Sequence, residues 1–90
     1  MAVTLADVTV PAATWTNLYT ATGLTVGVGL DIWNKGVGSA EIAISVAAPA
    51  ANTGVPIFSG PLNNFLAVTA GEVGAWAYSV LGTKLSVQVA

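Results

Sequence analysis

A chain of 90 residues is long enough for one domain with a single core, and at this size folding buries roughly 60–65% of the surface exposed by the unfolded chain. Charged residues make up 7% of it and apolar residues 54%, against about 25% charge in an ordinary soluble domain, so its surface is poor in charge. The charged set is Asp7, Asp31, Lys35, Glu41, Glu72 and Lys84, with no arginine or histidine, which argues against nucleic-acid binding because phosphate and base contacts lean on Lys and Arg.

Taken from the N-terminus, residues 3–10 read as an extended arm whose parity changes midway: Val3 and Leu5 share one side, Val8 and Val10 the other. A bulge or bend near Ala6-Asp7 reconciles them, since one extra residue flips every later side chain. Pro11 ends the segment, because it has no N–H for a ladder. Residues 14–20 alternate threonine with Trp15, Asn17 and Tyr19, a composition that predicts a strand, and Ala21-Thr22-Gly23 reads as a turn.

Residues 24–46 predict a β-hairpin around which the rest is arranged. Val26, Val28, Leu30 and Ile32 share one parity, and Ala40, Ile42, Ile44 and Val46 repeat it after the turn residues 34–39. Asn and Gly in that turn tolerate the positive φ of a tight connection. Trp33 falls on the parity that faces water.

Residues 47–64 hold three of the four prolines and read as a loop region with a short strand at 55–59. Further strands are predicted at 65–68, at Trp76, Tyr78 and Val80, which alternate with Ala75, Ala77 and Ser79, and at Leu85, Val87 and Val89. The strand around Trp76 is bulky on one side and small on the other, so it packs on its small side. No helical window competes. About seven or eight short strands predict an all-β fold, a small antiparallel β-sandwich or barrel with jelly-roll-like or Greek-key crossings, forming a single β domain over residues 1–90.

The longest apolar run, residues 42–51, is broken by Ser45 and Pro49 and falls short of the about 20 residues of a spanning helix, so no membrane partner is expected. The stretch MAVTLADVTV carries neither a basic leader nor a long apolar segment, so no secretory signal is expected and synthesis in a cytoplasm is the expectation. Without cysteine there is no disulfide and no thiolate metal site. Asp31 and Glu41, on neighbouring strands of the predicted hairpin, offer the best acid and base pair, but both sit on the polar parity and read as solvated. Gly27-Val28-Gly29 and Gly36-Val37-Gly38 look like phosphate-loop fragments, yet strands rather than helices follow them, and glycine in a strand marks a close neighbour or a bend. No catalytic residue, metal or cofactor is assigned. Trp15, Tyr19, Trp33, Trp76 and Tyr78 are candidates for a sugar-stacking platform, Trp33 foremost, although most aromatics in a small β domain are core.

The segments AATWTNLYTATG, GLDIWNKG, TAGEVGAWAYS and LGTKLSVQ resemble, in this order, a group of small structural proteins of tailed-bacteriophage virions. Trp15, Tyr19, residues 34–36 and residues 74–79 carry the likeness, which spans residues 11–88 and leaves the arm outside. The resemblance implies a non-enzymatic virion component on the capsid exterior, a decoration or cement protein binding across major capsid protein subunits in several copies. A homo-oligomer, a trimer above all, suits the scarcity of charge. The expected protein interface is Val3, Leu5, Val8 and Val10, on residues 2–10 acting as an N-terminal docking arm, together with Trp33. An ordinary first strand is the competing reading of the arm. A tail or neck component, or a carbohydrate- or receptor-binding module, are the alternatives for the whole chain.

Overall fold

The computed structural model describes residues 5–36, 38–49, 54–57 and 64–90. The protein is all-β, with one short helix among the described residues. In chain order it runs β1 (Val8–Val10), β2 (Thr16–Asn17), α1 (Leu18–Thr22), β3 (Leu30–Asn34), β4 (Ala40–Ala43), β5 (Val55–Ile57), β6 (Phe65–Val68), β7 (Trp76–Tyr78) and β8 (Thr83–Val89). These form two four-stranded antiparallel sheets, β1-β8-β3-β6 and β2-β7-β4-β5. The pairs β1 with β8, β2 with β7, β3 with β6 and β4 with β5 are nested, so the chain doubles back on itself about the β4–β5 connection.

Burial follows the period of two. Leu30 and Ile32 of β3, Leu85 and Val87 of β8, and Val8 and Val10 of β1 point inward from the first sheet. Ala40 and Ile42 of β4, Ile57 of β5 and Ala77 of β7 do so from the second, and all belong to one apolar cluster with Leu18 and Tyr19 of α1. β7 turns its small side inward as predicted: Ala75, Ala77 and Ser79 are buried, while Trp76 and Tyr78 lie on the outer face. Tyr19 is the large aromatic in this core, and its hydroxyl donates to the Val28 carbonyl at 2.6 Å.

The predicted hairpin over residues 24–46 does not form. β3 pairs with β6 on one side and β8 on the other, so both its edges are taken, and β4 belongs to the other sheet. Alternation identifies which face a residue occupies; it carries no information on which strand lies alongside. The connection crosses between sheets and is tied there by Asn34, a buried side chain. Its Nδ2 donates to the Gly38 carbonyl (2.8 Å) and to the carbonyl of Ile57 in the second sheet (3.2 Å). Its Oδ1 accepts from the Gly36 N–H (3.1 Å) and from the hydroxyl of Thr83, which opens β8 of the first sheet (2.8 Å). Val26 is half exposed on a turn closed by the Val28 N–H donating to the Thr25 carbonyl, and Ile44 and Val46 lie beyond the end of β4, exposed rather than inward.

Residues 14–20 are the second correction. Only Thr16–Asn17 is strand; Leu18–Thr22 is helical. Asn17 caps the turn by accepting from the N–H groups of Tyr19 and Thr20, and Gly23 closes it in the left-handed conformation at φ 75°, its N–H donating to the Tyr19 carbonyl. Cap residues at both ends overrode the β propensity of the threonines, because they satisfy end groups that a one-turn helix otherwise leaves unpaired. The predicted strand at 55–59 is observed as Val55–Ile57, and residues 58 and 59 lie outside the described residues.

The N-terminal segment is an integral strand from Val8 onward, with Val8 opposite Leu85 and Val10 opposite Thr83. The break predicted near Ala6-Asp7 falls where this ladder stops. Ahead of it the Gln88 side chain replaces a strand partner: the Leu5 N–H donates to Gln88 Oε1 (2.7 Å) and Gln88 Nε2 donates to the Leu5 carbonyl (3.1 Å).

Candidate functional site

The residues expected to carry chemistry are dispersed. Asp31 and Glu41 lie in different sheets, so the acid and base pair suggested by a shared hairpin does not exist. Among the described residues no three His, Cys, Asp or Glu side chains gather to hold a metal ion. The described ion pair joins Lys35 Nζ to Asp7 at 3.0 Å on the surface. No helix among the described residues is long and apolar enough to cross a membrane. Gly36 and Gly38 are explained by packing: a Cβ on Gly36 would meet the Thr83 hydroxyl and the Lys84 backbone, and one on Gly38 would sit 2.7 Å from the Gly82 carbonyl oxygen. Here the crossover presses against the start of β8.

What the two sheets do present is aromatic surface. On the outer face of β1-β8-β3-β6, Trp33 stands directly opposite Phe65 across β3 and β6, with ring centroids 4.9 Å apart and planes tilted by 48°. Trp33 is 37% exposed and Phe65 44%. Ser86 of β8 flanks Trp33 on its other side, and the next row along the face is Ala67, Asp31 and Gln88. Trp33 therefore faces outward, as its parity predicts.

The outer face of β2-β7-β4-β5 carries a second group. Trp15, immediately before β2, lies 5.1 Å from Tyr78 between ring centroids, at 44°. Tyr78 stands opposite Glu41 on β4, which in turn stands opposite Pro56 on β5. Trp76 occupies the adjacent row between Asn17 and Ala43, and its indole N–H donates to the Ser45 carbonyl at 3.1 Å. The expectation that most aromatics are core fails here: Trp15, Trp33, Phe65, Trp76 and Tyr78 all lie on outer faces, and Tyr19 alone of the five sugar-platform candidates is buried. The alternation around Trp76 and Tyr78 held the signal, whereas Phe65 and Trp15 needed the strand pairing to reveal their partners.

The predicted interface residues are spread through the structure. Val8 and Val10 fill this chain's own core instead of offering side chains to a partner, since β1 completes the edge of the first sheet. Leu5 is half-buried in the Gln88 clasp, Trp33 is exposed, and Val3 lies outside the described residues. No protein-family model, no curated protein and no solved structure matches the chain.

Proposed function

We propose that this chain is a non-enzymatic structural protein of a tailed-phage virion, decorating the capsid exterior by binding across major capsid protein subunits, and that it works as a homo-oligomer, a trimer above all. The observation that carries this reading is the Trp33–Phe65 pair, two large rings left half in water on the outer face of a sheet in a chain with few charges to keep it solitary. Aromatic rings of this kind are the anchors around which protein interfaces form, and surface poor in charge suits coverage by another protein. The choice of a capsid protein as that partner rests on the resemblance of residues 11–88 to virion proteins.

The fold supports the same reading. We take the two sheets to close face to face as a jelly-roll sandwich: the orders β1-β8-β3-β6 and β2-β7-β4-β5 are those of a nested hairpin rolled into two layers, and both sheets feed one apolar cluster. Double-sheet jelly rolls serve in viral capsids and in lectins, so the architecture is compatible with this function without specifying it.

Purified virions test the proposal. A 9.0 kDa band present in hundreds of copies per particle is expected, and recombinant protein should rebind particles stripped of it, with Trp33→Ala abolishing attachment while the variant stays folded. A band in a few copies confined to tails would establish the second reading, a tail or neck component; absence from virions, or attachment indifferent to Trp33→Ala, would overturn the role given to this face.

A further inference from the structure

We propose that the outer face of β2-β7-β4-β5 is a binding site for a neutral oligosaccharide, with Trp15 and Tyr78 as stacking surface and Glu41 as hydrogen-bond acceptor. The site is separate from the Trp33 face and stands whether or not that face docks on a capsid.

The geometry comes from strand pairing. Tyr78, Glu41 and Pro56 lie in one row across β7, β4 and β5, Trp15 just ahead of β2 packs on Tyr78 at the end of that row, and Trp76 lies beside Tyr78 in the next row. Adjacent strands are about 4.8 Å apart, so the row advances by a step close to the length of one pyranose unit. Trp15 and Tyr78 are half-buried, and their rings pack on each other with planes tilted by 44°. Pyranose rings expose patches of C–H groups on their faces, and these stack on aromatic rings through apolar contact and weak C–H interactions.

A second requirement of sugar recognition is a fixed polar group beside the stack, since a few placed polar atoms orient a ligand on an apolar surface. Glu41 supplies it. Its Oε1 accepts the Gly54 N–H at 3.1 Å, which holds the carboxylate next to Tyr78 and leaves Oε2 outside that bond to accept from a sugar hydroxyl. Gly54 is pressed against the Glu41 stem, where an added Cβ would lie 2.8 Å from the Glu41 Cβ, so only glycine brings its N–H this close. A carboxylate accepting from a hydroxyl makes the stronger, charge-assisted kind of hydrogen bond.

Charge selects among sugars. Glu41 is the only charged residue in the four strands of this sheet, so the face has a carboxylate and no cation. Uronic-acid and sulfated glycans would be repelled, whereas neutral hexose, pentose or N-acetylhexosamine chains meet no such barrier.

The test titrates the intact chain with neutral hexasaccharides of β-1,4-glucose, α-1,4-glucose, β-1,4-xylose and N-acetylglucosamine, and with oligogalacturonate as the anionic control, reading tryptophan fluorescence and amide NMR shifts. At least one neutral chain is expected to bind with a Kd of about 1 mM or tighter, with Trp15→Ala and Tyr78→Ala each weakening it by about tenfold or more and Trp33→Ala leaving it unchanged. Glu41→Gln, which keeps the shape of the side chain, should also weaken binding and guards against a Trp15→Ala variant that fails to fold. Absence of binding by all four neutral chains, preference for oligogalacturonate, or affinity unchanged by both Tyr78→Ala and Glu41→Gln would overturn the assignment. Loss on Trp33→Ala alone would move the sugar site to the other face.

Discussion

Thr83 donates its hydroxyl hydrogen to Asn34 Oδ1 at 2.8 Å, joining the end of β3 to the start of β8 inside the protein, where both side chains are buried. The two residues are unequal partners. Asn34 also holds the Gly38 and Ile57 carbonyls and the Gly36 N–H, so Asn34→Ala strands several groups at once, whereas Thr83→Val removes one donor from an oxygen that keeps another. Because an unpaired buried polar group costs about 1–3 kcal/mol, Asn34→Ala should lose about 2–4 kcal/mol of stability and Thr83→Val about 1 kcal/mol. Urea unfolding of both variants and their double mutant checks this, and the double mutant should fall short of the sum because the partners share one bond.

Trp33 gives the opposite expectation. Its ring packs on Phe65 at the surface rather than in the core, so Trp33→Ala should cost less than about 1.5 kcal/mol, the scale of an aromatic pair. Leu30→Ala, from the fully buried parity of the same strand, should cost about 2–5 kcal/mol. Equal losses in thermal unfolding would place the indole in the core.

Strand faces were legible in the sequence, and strand partners were not. Leu30, Ile32, Ala40 and Ile42 are inward as their alternation predicts, yet the chain between them changes sheets, because a period of two reports the core's direction and nothing about the neighbour. Helix α1 leaves no periodic signal because a single turn is too short to display a helical period; its signs are the cap residues Asn17 and Gly23, which also suit a strand and a turn. Both aromatic faces depend on register. Trp33 is marked by parity, but Phe65 beside Trp33, Glu41 beside Tyr78 and Pro56 beside Glu41 come together only through pairings that alternation does not report.

Alkaline pH should destabilise the fold through Tyr19. Burial pushes its hydroxyl above the ordinary value of 10.0, with the Glu72 charge acting in the same direction against an opposing backbone hydrogen bond from Gly27. Below pH 10 both folded and unfolded states keep the proton; above it the unfolded state ionises first, so it binds fewer protons and stability falls as pH rises through the folded pKa. Tyr19→Phe, although it forfeits the hydrogen bond to Val28, should flatten that alkaline decline in urea midpoints measured from pH 8 to 11.

Two N-terminal deletions should test whether the arm docks on a partner, apart from its role in the fold. Among the described residues ahead of Val8, Leu5 is held by the two hydrogen bonds of the Gln88 amide and Asp7 by its surface ion pair with Lys35. Hydrogen bonds of this kind contribute about 1 kcal/mol each and an exposed ion pair about 0–1 kcal/mol, so removal of residues 2–7 should leave a cooperatively folding protein. Extending the deletion through residue 10 takes away β1, uncovers the edge of β8 and empties the core positions of Val8 and Val10. That truncation should abolish the sharp unfolding transition in calorimetry. The shorter truncation then isolates the arm, because its body is intact: if residues 2–7 dock on a capsid subunit, stripped particles mixed with it should sediment without it, and undiminished co-sedimentation would assign attachment to the Trp33 face alone.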